Sequence, residues 1–269
     1  MSDSIRENRT WEDVVQEIKM EFDADIERKC SIVLVEGKDD CRFIRKIFWN
    51  DVIAIESPSG KSELEKIILD ERVKNNRLIA IRDKDYMNID DLSPQMFVYD
   101  KSCLEVMLFA NENVRKDYYD IYYSGKKNCE EYVRNIFREL APFSILRKHN
   151  EEDGGGINFN IGIAHCFDDE EKMNIAKIFN ILNQTPERLS ECFDEANAMC
   201  DDMLWNITNG HDFYRLLATK TKVGGKLTNE NGVMQLILGL YRLEEFKSTD
   251  LYKDLCTYQS ENEVKFVDM

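Results

Sequence analysis

Acidic side chains gather at two places where an apolar run ends. In IVLVEGKDDCRF, residues 32–43, Glu36, Asp39 and Asp40 surround Gly37 and Lys38 directly after a series of branched apolar residues. A second apolar run, LIAI (78–81), leads into RDKDYMNIDD, with Asp83 and Asp85. Carboxylates held close together repel and raise one another's pKa unless a cation neutralises them. Oxygen-only donors of this kind suit Mg²⁺ or Mn²⁺ rather than zinc. Two such ions about 4 Å apart can activate a water and stabilise the leaving oxygen in phosphodiester hydrolysis. The competing reading is structural: Asp39 or Asp40 could cap the following helix, and an isolated Asp-x-Asp pair is weak evidence.

What could bring these acids together is a parallel sheet. SIVLV (31–35), VIAIE (52–56), LIAI (78–81) and MFVY (96–99) read as strands, the first buried on both faces. Helical spacing separates them over 39–49 (Phe43, Ile44, Ile47, Phe48) and again from Ser62 and Glu65, a capping-box spacing. A helix over 10–29 precedes them, with Trp11, Val14, Val15, Ile18, Phe22 and Ile26 on one stripe. Alternating strands and helices imply βαβ units, and open sheets of that type bind ligands beyond the carboxyl ends of their strands. Glu36, Asp83 and Asp85 fall at those ends, and Asp40 follows at the start of a helix. Residues i and i+2 of an extended chain share a side, which would let Asp83 and Asp85 converge.

The expected organisation is an N-terminal helix (1–29) packed on an α/β core (30–110), then a mainly helical region (111–269). INFNIG (157–162) reads as one further strand. The net charge of −16 argues against a broad, non-specific nucleic-acid binder, although an acidic metal cluster contributes negative charge of its own. Eight scattered cysteines without a CxxC pair, and a polar N-terminus without an apolar core, suggest a reduced cytoplasmic protein with no membrane association.

LVEGKDDCRFI followed by IAIRDKDYM resembles a TOPRIM domain, the Rossmann-like catalytic core shared by topoisomerases, bacterial primases and OLD-family nucleases. Glu36 matches the signature glutamate, which in the TOPRIM manner could serve as general base. Asp83 and Asp85 match the DxD, and Asp40 is similar to the additional metal-binding acid of the OLD-family nucleases. VYDKSCLEVML and NGHDFYRLLA (209–218) resemble further elements of the DUF4435 branch, which includes the effector nuclease of the PARIS anti-phage system. That likeness makes Glu105 a fifth metal ligand, although Ser102 and Glu105 also have capping-box spacing. The resemblance implies a Mg²⁺- or Mn²⁺-dependent nuclease holding two ions and acting on DNA or RNA, tRNA included. It also implies a role in bacterial defence, an ABC-type ATPase partner and self-association as a homodimer. Lys38 and Lys84, inside the motifs, could stabilise charge developing on phosphate. The alternative is a TOPRIM-fold interaction module that performs no chemistry.

Other signals are weaker. SPSGKS (57–62) has Ile55 where a phosphate-binding loop needs its first glycine, so ATP binding is not expected, although Lys61 could still meet a substrate phosphate. Met87 occupies a ligand position in the calcium-loop-like DKDYMNIDD. His211 and Asp212 read as a packed histidine and a helix cap in preference to a substrate site. YYDIYYSGKK (118–127) reads as aromatic packing in preference to a nucleic-acid platform.

Overall fold

A five-residue run of Ser, Ile, Val and Leu with no polar face has to be covered on both sides, and the structure does this for Ser31–Val35. The computed structural model describes residues 9–86, 92–125, 128–159, 166 and 174–268, apart from the side chains of Lys61 and Cys129. Contacts divide the chain into two units.

The first unit holds residues 1–84, 88–100 and 242–269. Its elements are α1 (Trp11–Ala24), β1 (Ser31–Val35), α2 (Lys38–Ile47), β2 (Val52–Glu56), α3 (Lys61–Ile68), β3 (Leu78–Arg82), β4 (Met96–Val98), α12 (Leu243–Lys247) and α13 (Asp250–Asn262). The four strands form one parallel sheet in the order β2-β1-β3-β4. The chain moves outward from β1 to β2 and then returns to the other side of β1 for β3. Strand order therefore reverses between β1 and β3, and such a reversal opens a crevice at the carboxyl ends.

Ile32 and Leu34 of β1 share one core with Leu78 and Ala80 of β3, Val14, Val15 and Ile18 of α1, and Leu64, Ile67 and Ile68 of α3. Side chains alternate along a strand, so Val33 and Val35 bury on the opposite face, where α2 packs. Phe43 of α2 meets Tyr99 and Phe246 edge-on at centroid distances of 6.2 and 5.4 Å. The last stretch of chain is tied in through Gln259, whose Oε1 accepts the N–H groups of Phe266 and Val267 at 2.6 Å each. The Trp49 N–H in turn donates to the Phe266 carbonyl at 2.9 Å. Residues 242–269 thus belong to the sheet unit, whereas the sequence had grouped them with one helical region from residue 111.

The expected helix over 10–29 ends at Ala24. The Asp25 carboxylate accepts the backbone N–H groups of Lys29 and Cys30, at 3.1 and 2.8 Å, and this local turn replaces further helical bonding. Ile26, assigned to the apolar stripe, is 91% exposed as a result. The capping box expected at Ser62 and Glu65 is also absent: α3 starts at Lys61 with Gly60 as N-cap.

The second unit holds residues 85–87 and 101–241. It comprises α4 (Leu104–Ala110), α5 (Glu112–Tyr122), α6 (Cys129–Glu152), α7 (Ile175–Ile181), α8 (Pro186–Ala198), α9 (Asp201–Leu204), α10 (Gly210–Ala218) and α11 (Glu230–Leu240). A short hairpin, β5 (Lys222–Val223) with β6 (Lys226–Leu227), interrupts the helices. Its turn is Gly224–Gly225, with φ of +57° and +81°, conformations that glycine adopts without steric cost. Aromatic packing dominates the interior: Phe213 stacks on Phe137 at 4.8 Å and meets Phe109 at 5.3 Å. Tyr118 is buried against Phe109, and Tyr119 stacks on Tyr123 at 4.8 Å, while Ile121 between them is 59% exposed. Lys126 and Lys127 lie outside the described residues, as do residues 160–162 of the expected strand; 157–159 form no regular element. Among the described residues no helix is long and apolar enough to cross a membrane. None of the cysteines whose side chains are described forms a disulfide.

Candidate functional site at the carboxyl ends of β1 and β3

Strands β1 and β3 are adjacent, with Val35 opposite Ile81 in register. Glu36 follows the last residue of β1, and Asp83 follows the last residue of β3. The Asp83 backbone N–H donates to Glu36 Oε1 at 3.2 Å, which fixes the glutamate across the crevice. Arg82, 3% exposed, lies beneath them: its Nε is 3.7 Å from Glu36 Oε1 and its guanidinium pairs with Glu65. Glu65 therefore serves this arginine, which accounts for the missing capping box.

Asp40 is in the first turn of α2, and its Oδ1 accepts the buried Tyr99 phenol O–H at 2.6 Å. The N-cap of α2 is Gly37, which has no side chain of its own to bond that end. The backbone N–H groups there add favourable field for anionic side chains or ligands. Lys38 is exposed at the first position of α2, and Lys84 is half-buried in the turn after β3. Lys61 is the first residue of α3, and its side chain lies outside the described set.

The structure corrects the expected convergence of Asp83 and Asp85 by strand alternation. Strand β3 ends at Arg82, and Asp85 has φ of +47°, so the i, i+2 rule of an extended chain does not apply. Asparagine and aspartate are among the non-glycine residues that tolerate this left-handed region. Asp85 belongs to the second unit, where its N–H donates to the Ser102 carbonyl at 3.0 Å.

Glu105 also lies in the second unit, in the first turn of α4. The alternative reading of Ser102 and Glu105 as a capping box is overturned. The N-cap is Cys103, and the Ser102 hydroxyl donates to the Thr208 carbonyl at 2.5 Å. Glu105 instead sits against the start of α10: a Cβ on Gly210 would fall 2.5 Å from its Oε2, so the carboxylate lies directly on the glycine.

His211 Nε2 is 4.0 Å from Glu105 Oε1, and His211 Nδ1 is 2.5 Å from Glu230 Oε1. Arg215 Nε reaches the other oxygen of Glu230 at 2.7 Å. His211 is 62% exposed by side chain and is not a packed core histidine. Its hydrogen bond to Glu230 lifts its pKa to about 9, with Glu105 adding in the same direction. Asp212, 2% exposed by side chain, pairs with Arg147 at 3.0 Å and Arg215 at 3.4 Å; the cap is Asn209. Burial pushes the Asp212 pKa up, while the two guanidiniums pull it back.

Among the described residues, no three His, Cys, Asp or Glu side chains form a group able to hold a metal ion as they stand. The donor chemistry of Glu36, Asp40 and Asp83 nonetheless fits a hard divalent cation. All three are carboxylates, and Glu36 and Asp40 have hydrogen-bond donors that orient them, as ligating carboxylates normally do. Sequence reasoning missed both Tyr99 and Arg82. The arginine ending an otherwise apolar strand was the available signal; Tyr99 was read as part of a strand. Compared with models of known protein families and with curated proteins, the chain matches none.

Proposed function

We propose that the chain is a Mg²⁺- or Mn²⁺-dependent nuclease with a TOPRIM-type core. The observation that carries this reading is the Asp83 N–H bonded to Glu36 Oε1, at the point where strand order reverses. Glu36, Asp40 and Asp83 would hold the metal, with a two-ion site as the working assignment. Such ions, when bound, lower the pKa of water and neutralise the leaving oxygen. Glu36 is the proposed proton acceptor for the attacking water. Tyr99 holds Asp40 in one rotamer through its phenol, and Arg82 ties Glu36 to Glu65. Lys38 and Lys84 are the proposed stabilisers of charge on the phosphate. Asp85 and Glu105 enter as further ligands, and Lys61 as a phosphate contact, on the sequence pattern alone. The family resemblance adds the setting: a defence effector regulated by an ABC-type ATPase, self-associating as a dimer.

The test is cleavage of labelled duplex DNA, single-stranded DNA and total tRNA with Mg²⁺ or Mn²⁺, comparing wild type with Glu36→Ala. Cutting by wild type, with a loss of about 10²- to 10³-fold in a folded variant, is expected, the scale of losing one catalytic electrostatic contact. A fully active Glu36→Ala protein would sink the assignment. An inert wild type on every substrate would leave two readings, a nuclease that needs its activator and the non-catalytic module, and would move the search to the partner.

A further inference from the structure

The chain carries a net charge of −16, yet four of the nine residues lining one cavity in the first unit are cations. It has a volume of about 280 Å³ and is walled by Arg9, Lys38, Arg42 and Arg45 together with Glu17 and Glu56. Lys38, Arg42 and Arg45 are spaced i, i+4, i+7 along α2, so they form one stripe on that helix while Phe43, Ile44 and Ile47 bury on its other side.

The pairing of these cations is uneven. Arg42 pairs with Asp39 at 2.6 Å. Arg9 pairs with Glu17 and donates to the Glu56 carbonyl at 3.2 Å. Lys38 and Arg45 have no carboxylate within ion-pairing distance among the described residues. Two cations in one concavity of so acidic a protein, neither ion-paired among the described residues, attract an anion that an acidic surface repels.

The larger cavity, about 420 Å³ in the second unit, differs in degree: Lys101 is its one cation without an ion pair among the described residues. Its Arg115 is paired with Glu130 at 3.3 Å and its Arg134 with Asp201 at 3.0 Å.

Position supplies the second argument. Ala54, Ile55 and Glu56, which floor the basic cavity, are the last residues of β2. Glu56 is the register partner of Val35, the residue before Glu36. The basic stripe therefore starts at the same edge of the sheet as the candidate catalytic carboxylates.

We propose that the α2 stripe of Lys38, Arg42 and Arg45, with Arg9, is the track that holds the phosphodiester backbone of the nucleic-acid substrate. Naming the polyanion as nucleic acid rests on the nuclease reading; the cationic site itself does not. Contacts to phosphate position a strand without reading its sequence, so the track would be tolerant of sequence and sensitive to salt.

The test measures binding of a fluorescein-labelled single-stranded DNA and of labelled tRNA to the full chain in EDTA, across a salt series. Three proteins are compared: wild type, Lys38→Gln/Arg45→Gln, and Lys19→Gln/Lys66→Gln, which removes the same charge from exposed sites outside the cavity. Circular dichroism checks that each is folded. The track predicts that the cavity variant binds at least about tenfold more weakly. Its slope of log Kd against log salt falls by about 1.4, at about 0.7 for each lost single-strand contact. The control variant stays within about twofold of wild type.

Equal binding by the two variants overturns the track, as does the absence of salt-sensitive binding by wild type. The nuclease reading fails separately: a fully active Glu36→Ala protein sinks it and leaves the binding track untouched.

Discussion

Asp40 and Asp212 are both held aspartates, one in each unit, and the difference lies in the donor. Asp40 accepts a neutral phenol, Tyr99, whereas Asp212 is clamped by two guanidiniums. A phenol fixes the position of a carboxylate without cancelling its charge, which leaves it fit to bind a cation. A guanidinium neutralises the carboxylate, and the pair then serves the stability of the unit. Glu36 and Glu230 differ less sharply: Glu36 accepts a backbone N–H and also lies 3.7 Å from Arg82 Nε, whereas Glu230 is held between His211 and Arg215. Acidity alone therefore does not identify a metal ligand; the chemistry of the neighbouring donor is the better guide.

Substitutions can break this contrast, and the largest effect is expected in the second unit. Arg147→Met removes the closer of the two guanidiniums from buried Asp212 and should cost about 3 kcal/mol, the scale of breaking a buried pair. A denaturant midpoint that moves at constant m value measures it. Adding Asp212→Leu to Arg147→Met should recover most of that loss, because no buried charge is then left without its partner. If the single variant is as stable as wild type, Asp212 is not held in the way described.

Tyr99→Phe sharpens the first half of the comparison. Removing one hydrogen bond should cost about 1 kcal/mol of stability, while divalent-ion affinity falls about tenfold, as for other groups that orient a ligand. A calorimetric ion titration alongside thermal melts separates the two; unchanged affinity would reduce Tyr99 to packing.

The smallest effect is a pH dependence. The His211 pKa is raised to about 9 in the folded state against an ordinary value near 6.5. Protonation therefore favours the fold: the contribution is fully present below about pH 6.5 and is lost as pH rises through about 9. His211 is largely exposed, so it should be worth less than about 1 kcal/mol. Stability curves of wild type and His211→Gln should differ at pH 6 and converge by about pH 10. Parallel curves would place the titration elsewhere.

Much of the sheet unit was legible before the structure. SIVLV and VIAIE occupy the expected strands because branched apolar runs of that length can be satisfied in a parallel sheet. Glu36, Asp40 and Asp83 were legible as acids bordering strands and as matches to a motif. Less was legible wherever a long-range partner outbid a local one. Both expected capping boxes failed, since Glu65 turns to Arg82 and Ser102 turns to the Thr208 carbonyl. Asp85 escaped because extended geometry was projected past the end of β3. The return of residues 242–269 to the sheet unit was equally hidden, since an amphipathic helix does not encode which surface it will cover.

The most direct measurement of the central claim is Mn²⁺ binding to the full chain, by calorimetry or by the loss of the free-ion paramagnetic signal. Wild type, Glu36→Ala and Glu230→Gln are compared. The account predicts binding by wild type and by Glu230→Gln, and at least about a tenfold loss with Glu36→Ala. Equal binding by Glu36→Ala and wild type, or none by wild type, would contradict it.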